Sequence, residues 1–248
     1  MFQFFVEKTQ IAPQDGRAVI TGPDVNHICH VLRMKSGERV YVSDGSGTGK
    51  YLCEIMSMSE EQVVCGILET TTESRELPCD ITLYQGLPKA DKMELIIQKA
   101  VELGVSRIVP VSMKRSVVKL DAKKADVKIG RWQGIAEAAA KQSKRDCIPQ
   151  IGPLMGFREA LEEARDFEVR LLPYENARGM DYTRALISSV KPGQRVAVFI
   201  GPEGGFEDSE ISLAMEKQTH PVTLGPRILR TETAGLAILS MFIYALEP

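Results

Sequence analysis

Two stretches near the end of the chain combine glycine, proline and charged side chains in a pattern that can hold a ligand. In the first, the apolar run Arg195-Val196-Ala197-Val198-Phe199-Ile200 leads into Gly201-Pro202-Glu203-Gly204-Gly205-Phe206. A helix start is expected near Glu207, with Glu210 three residues on. Glycines at a strand-to-helix turn let a ligand lie directly against the backbone, and the carboxyl ends of strands are where open α/β sheets bind ligands. In the second, Val222-Thr223-Leu224 leads into Gly225-Pro226-Arg227-Ile228-Leu229-Arg230-Thr231-Glu232-Thr233, which opens a strongly apolar helix expected from Thr233 to Tyr244. Charged groups at the mouth of such a helix cost free energy unless something uses them. A capping threonine and an Arg230–Glu232 pair would account for part of the second stretch, but not for the repeated Gly-Pro turn. Residues 196–239 are therefore expected to hold two ligand-facing Gly-Pro turns, each opening a helix.

Two other stretches carry less. Asp44-Gly45-Ser46-Gly47-Thr48-Gly49-Lys50-Tyr51 has the look of a phosphate loop, but it misses the G-x-G-x-x-G register, and Tyr51 follows the lysine where a Ser or Thr is required. A hairpin loop is the better expectation. His27-Ile28-Cys29-His30 puts two histidines around a cysteine without a second ligand cluster, so no metal site is expected. The five cysteines are scattered without a C-x-x-C pair, which fits reduced thiols.

The elements that must position the pocket alternate between strands and helices. Strands are expected at Ile81–Gln85, Arg107–Val111, Glu168–Leu172 and Arg195–Ile200, the last two being short apolar runs of the buried parallel kind. Helices are expected from Lys92 to Leu103, ended by Gly104, and from Trp132 to Lys144. This alternation predicts an α/β domain with a mainly parallel sheet over residues 73–248. Residues 1–72 read instead as a small β-barrel. Closely spaced strands lie within Gly37–Gly45, at Tyr51–Ile55 and at Gln62–Leu68, and one helix is expected from Pro23 to Met34. The polar run from Glu69 to Glu76 is the linker expected between them.

The overall charge of −2 hides a segregation: residues 84–150 carry 14 basic and 7 acidic side chains, while residues 1–75 carry 7 and 10. A basic block between acidic ones suits a polyanion, although solvated helices would look the same. No apolar run approaches the ~20 residues of a membrane span, and the amino terminus lacks a signal-peptide pattern. A cytoplasmic protein is expected.

The segments Ile200–Phe206 and Leu224–Ala234 together closely resemble the signature of the SPOUT methyltransferases, and within them the ribosomal RNA small subunit methyltransferase E family. The resemblance extends to His27–Met34 with Gly37, which is similar to that family's PUA-like barrel, and to Lys92–Val105, Met113–Ser116 and Glu137–Arg145. Gln3 departs from the family, whose members often carry arginine there. The resemblance implies a trefoil-knotted α/β domain, a homodimer, and S-adenosylmethionine-dependent methylation of N3 of one uridine in 16S rRNA of the small ribosomal subunit. It implies cofactor contacts from Leu172, Ile200, Gly201, Pro202, Gly205, Leu224, Gly225, Ile228, Leu229 and Thr233. Arg230 is the expected catalytic residue that stabilises a uracil anion, with Glu232 or a backbone carbonyl receiving the proton, and Arg33, Arg115, Lys119, Lys144 and Arg145 are the expected RNA contacts. The alternatives are a SPOUT enzyme acting on another RNA such as tRNA, and a non-catalytic RNA-binding assembly factor.

Overall fold

The computed structural model describes residues 1–47, 49–71, 74–177 and 179–247. Two compact units emerge, Met1–Glu76 with Ala140–Ile148, and Leu77–Ala139 with Pro149–Pro248. The expected boundary between residues 72 and 73, in the expected linker, lies outside the described residues.

In the first unit, alternation of apolar and polar residues builds a curled half-barrel. Its strands are β1 (Gln3–Phe5), β2 (Ile11–Ala12), β3 (Arg17–Thr21), β4 (Arg39–Ser43), β5 (Lys50–Met58) and β6 (Gln62–Thr71), in the order β1-β4-β5-β6-β3-β2. The inward residues, among them Ala18, Ile20, Val40, Val42, Cys53, Ile55, Val63 and Cys65, form one core. The glycine-rich stretch after β4 joins two antiparallel strands, as a hairpin loop does, with Thr48 outside the described residues. The helix expected from Pro23 to Met34 is shorter: α1 spans Pro23–Asn26, and a wider turn over His27–Val31 follows. Arg33 then adopts φ +52° and ends the turn.

Residues 140–148 belong to this unit through a buried polar network. Lys50 Nζ lies 2.8 Å from Asp146 Oδ1, and the Arg145 guanidinium pairs with Glu76, whose Oε1 also accepts from the amides of Asp146 (2.7 Å) and Cys147 (3.2 Å). Burial opposes ionisation of Glu76, but Arg145 and these donors hold its carboxyl below the ordinary range.

The second unit is a parallel sheet with helices. In chain order it contains β7 (Asp80–Gly86), α2 (Lys92–Glu102), β8 (Arg107–Ser112), α3 (Ala122–Ser143, whose last residues lie in the first unit), β9 (Gln150–Ile151), β10 (Met155–Gly156) and α4 (Phe157–Glu163). Then come β11 (Val169–Pro173), α5 (Met180–Ser188), β12 (Arg195–Ile200), α6 (Asp208–Glu216), β13 (His220–Val222) and α7 (Thr231–Leu246). The order is β10-β8-β7-β12-β11-β13, with β9 also on β8, and every pairing among the described residues is parallel. Tyr84 of β7 stacks on Phe199 of β12 with ring centroids 4.6 Å apart. Helix α3 begins at Ala122 rather than Trp132. Its first turns carry lysines and alanines, which favour helix without an apolar stripe, and the Asp121 carboxylate accepts from the Lys124 amide at 2.9 Å. Helix α7 buries Gly235, Ile238, Leu239 and Phe242, but Tyr244 is exposed.

Candidate functional site

The carboxyl ends of β11 and β12 and the amino end of α7 enclose a cavity of about 420 Å³. Its floor is the turn Gly201–Phe206, and its walls are Pro173 and Glu175 on one side and Ile228, Leu229, Arg230, Thr231 and Ala234 on the other. A smaller space of about 80 Å³ continues it past Tyr174, Leu224, Gly225 and Arg227.

The first turn is pinned from below. Gly86, the last residue of β7, admits no side chain, because a Cβ there would stand 2.7 Å from the Pro202 nitrogen. Gly205 takes φ +66° to bring the chain round, and Arg115 donates from Nη1 to the Gly204 carbonyl at 3.1 Å. The expected cap at Glu207 is present: the Glu210 carboxylate accepts from the Glu207 amide at 2.9 Å and from the Lys114 amide at 3.0 Å. The second turn is more open. Gly225 takes φ +110°, Thr223 Oγ1 accepts from the Gly225 amide at 3.2 Å, and Ile228 is 87% exposed.

A charged cluster joins the two turns. Lys92 Nζ lies 3.1 Å from Glu203 Oε1 and 3.2 Å from Glu232 Oε2, and Glu203 also accepts from the Lys89 amide at 3.0 Å. Donation to the Glu203 and Glu232 carboxylates raises the Lys92 pKa. Glu203 is lowered, because the Lys89 amide and Lys92 outweigh its desolvation. Glu232 is lowered by its own backbone amide first, and then by Lys92 and Arg230. Arg230, with extended backbone (φ −68°, ψ 156°), precedes α7 and stands exposed at the rim.

Of the residues expected at a cofactor, Ile200, Gly201, Pro202, Gly205, Ile228 and Leu229 line the larger cavity, and Leu224 and Gly225 the smaller. Leu172 is instead buried in the core and Thr233 faces solvent, while their neighbours Pro173, Thr231 and Ala234 line the cavity. The reason is that facing changes from one residue to the next, by a half-turn in a strand and by about 100° in a helix. Lys92, Glu175 and Glu203 also line it; Glu203 stands within the first Gly-Pro stretch, whereas Lys92 and Glu175 are ordinary surface-type charges until the fold converges.

Among the residues expected to contact RNA, Arg33 and Lys144 are exposed on the first unit, and Arg115 and Lys119 on the second. Arg145 is corrected. It is 3% exposed and its guanidinium is committed to Glu76, so it is not available to a phosphate. Gln3 is likewise buried and donates to the Arg145 carbonyl.

The family described as RNA methyltransferase domain matches residues 75–243, and an RNA methyltransferase PUA domain matches residues 20–68. The chain is 39% identical to the ribosomal RNA small subunit methyltransferase E of Bacillus subtilis, over 100% of this chain and 98% of the relative. It is 32% identical to the protein of the same description from Mesomycoplasma hyopneumoniae, over 98% and 99% of the two. Among solved structures, it is similar to the Neisseria gonorrhoeae methyltransferase E bound to S-adenosyl methionine, with TM-score 0.84, 31% identity and coverage of 99% and 98%.

Proposed function

The chain belongs to the ribosomal RNA small subunit methyltransferase E family, and from that premise we propose that it methylates N3 of one uridine in 16S rRNA, using S-adenosylmethionine. The observation that carries this reading is the cavity of about 420 Å³ whose floor is glycine backbone, a size usual for small-molecule sites of roughly 300–1,000 Å³. Gly201 and Gly205 keep the floor free of side chains, and the Glu175 carboxylate in the lining suits a cationic ligand. The cofactor, when bound, supplies an already activated methyl group, so alignment and exclusion of water are what remain for the protein.

Uracil N3 is a poor nucleophile until it loses its proton, and the resulting anion spreads its charge over O2 and O4. The Arg230 guanidinium at the rim is suited to stabilising that charge. Glu232 has the opposite electrostatic history: its lowered pKa makes it a weak proton acceptor. We assign it to holding Lys92 against Glu203, which orders the site floor. Phosphates of the RNA meet Arg33, Arg115, Lys119 and Lys144, and binding then weakens steeply with salt. The strand order supports the knotted reading, with β12 between β7 and β11 and α7 packed back on α2. The outward side of α7, where Met241 and Tyr244 border a second cavity of about 450 Å³, fits a homodimer contact. An rRNA substrate places the protein in the cytoplasm.

The test is Arg230→Ala, assayed by methyl transfer to small-subunit rRNA and by calorimetric cofactor binding. Turnover falls about 100- to 1,000-fold, while cofactor affinity changes little. An unchanged methylation rate would overturn the role of Arg230, and absence of transfer by the unaltered chain would overturn the activity.

A further inference from the structure

Beneath the cavity a chain of hydrogen bonds joins a core strand to both turns. Gln85 stands on β7 opposite Ile200 of β12 and is fully buried. Its amide Nε2 lies 3.0 Å from the Gly86 carbonyl and 2.9 Å from Thr231 Oγ1, and Thr231 Oγ1 lies 2.6 Å from the Gly201 carbonyl.

The chemistry of the partners fixes the direction of every bond. A carbonyl only accepts, so the single hydroxyl proton of Thr231 goes to Gly201. Thr231 must then accept from Gln85, and the Gly86 carbonyl also requires a donor, so both amide protons are assigned. The opposite end of the side chain, Gln85 Oε1, is buried and has no hydrogen-bond partner among the described residues. Turning the amide over would cost two bonds to satisfy one atom. A buried acceptor without a donor is destabilising.

We propose that Gln85 is a positioning residue for the cofactor cavity: acting through Thr231, it fixes the Gly201 carbonyl and the start of α7 relative to each other. Gly201 is the floor of the cavity and Thr231 part of its wall. The two glycine turns are thus locked through one side chain from outside either motif. The inference rests on the functional reading above for the identity of the ligand, but not for the geometry.

The experiment measures S-adenosylmethionine binding by calorimetry and thermal unfolding of the cofactor-free protein, for the full chain. The variants are Gln85→Met, Thr231→Val, both together, and Thr231→Ser. Each of the first two weakens affinity on the order of tenfold, the net worth of one hydrogen bond at the upper end of its range. The double variant is no worse than either single one, because both cut the same chain. Thr231→Ser, which keeps the hydroxyl, binds as the unaltered protein does. The double variant unfolds at a lower temperature than the original, because the Gly86 and Gly201 carbonyls lose their donors. A merely structural role would make affinity follow stability in every variant, so Thr231→Ser, which loses a buried methyl group, would then bind more weakly too. Affinities of Gln85→Met and Thr231→Val within twofold of the original, or a Thr231→Ser affinity that falls with its melting temperature, would overturn the proposal. If the unaltered protein itself does not bind the cofactor, the functional reading fails and takes this one with it, whereas equal binding by all variants sinks this one alone.

Discussion

The two Gly-Pro turns begin alike in sequence and end differently in space. Gly201–Phe206 is held on every side: Pro202 against Gly86, Gly204 by Arg115, Glu203 by Lys89 and Lys92, and Gly201 by Thr231. Its Pro202 and Phe206 are buried. Gly225–Arg230 is held at its entry by Thr223, whose carbonyl accepts from Thr183 at 2.9 Å, but Pro226, Arg227 and Ile228 are exposed. One turn is a finished cradle and the other an open rim. A substrate as large as RNA has to approach the rim, so the arginines stand on the turn with less packing, where backbone adjustment costs least.

The largest effect that would break this contrast is at Gly86. Gly86→Ala forces a Cβ against the Pro202 backbone and should cost about 1–3 kcal/mol of stability by denaturant unfolding, with loss of cofactor binding. A stability within error of the original would mean that the first turn is not rigidly seated. A sharper comparison pairs Gly205→Ala with Gly225→Ala, since both glycines have positive φ and open space where a Cβ would go. The anchored turn cannot relax, so Gly205→Ala should cost about 1–2 kcal/mol. The open turn can relax, so Gly225→Ala should leave unfolding almost unchanged while weakening cofactor binding. Equal stability losses would erase the distinction.

A smaller effect is expected on acidification. Glu203 is held below the ordinary carboxylate range, so its contribution is present above the unfolded-state pKa and is lost as pH falls through the lower folded value. The Lys89 amide resonance, which reports the bond to Glu203, should therefore inflect below the usual glutamate range. An inflection at that range or above would contradict the arrangement. The smallest effect is Ile228→Ser, where 87% exposure predicts a stability change within about 0.5 kcal/mol. A larger loss in a concentration-dependent melt would mean that a second copy covers the rim.

A parallel lesson comes from two arginines of the basic segment. Arg115 and Arg145 both add to the charge block, and counting treats them as equals. Arg115 is exposed and braces the first turn, whereas Arg145 is folded inward onto Glu76. Net charge over a window of sequence is blind to pairing between residues 69 positions apart, because the partner is brought there only by the fold.

What the sequence by itself determined is whatever depends on neighbours along the chain. Turn signals and close spacing marked β4 to β6, apolar runs marked β11 and β12, and glycine after an apolar run marked both turns of the pocket. The start of α3 escaped because alanine and lysine favour helix without leaving an apolar stripe, and Pro173 and Thr231 escaped because facing differs from one residue to the next. Only the tertiary structure decided what depends on convergence: that Lys92 would bind Glu203 and Glu232, that Arg145 would be buried, and that Gln85, an unremarked residue of a core strand, would reach both turns. Hydrogen bonds and ion pairs act over a few ångströms regardless of sequence distance, so their partners are fixed by packing and cannot be read from spacing alone.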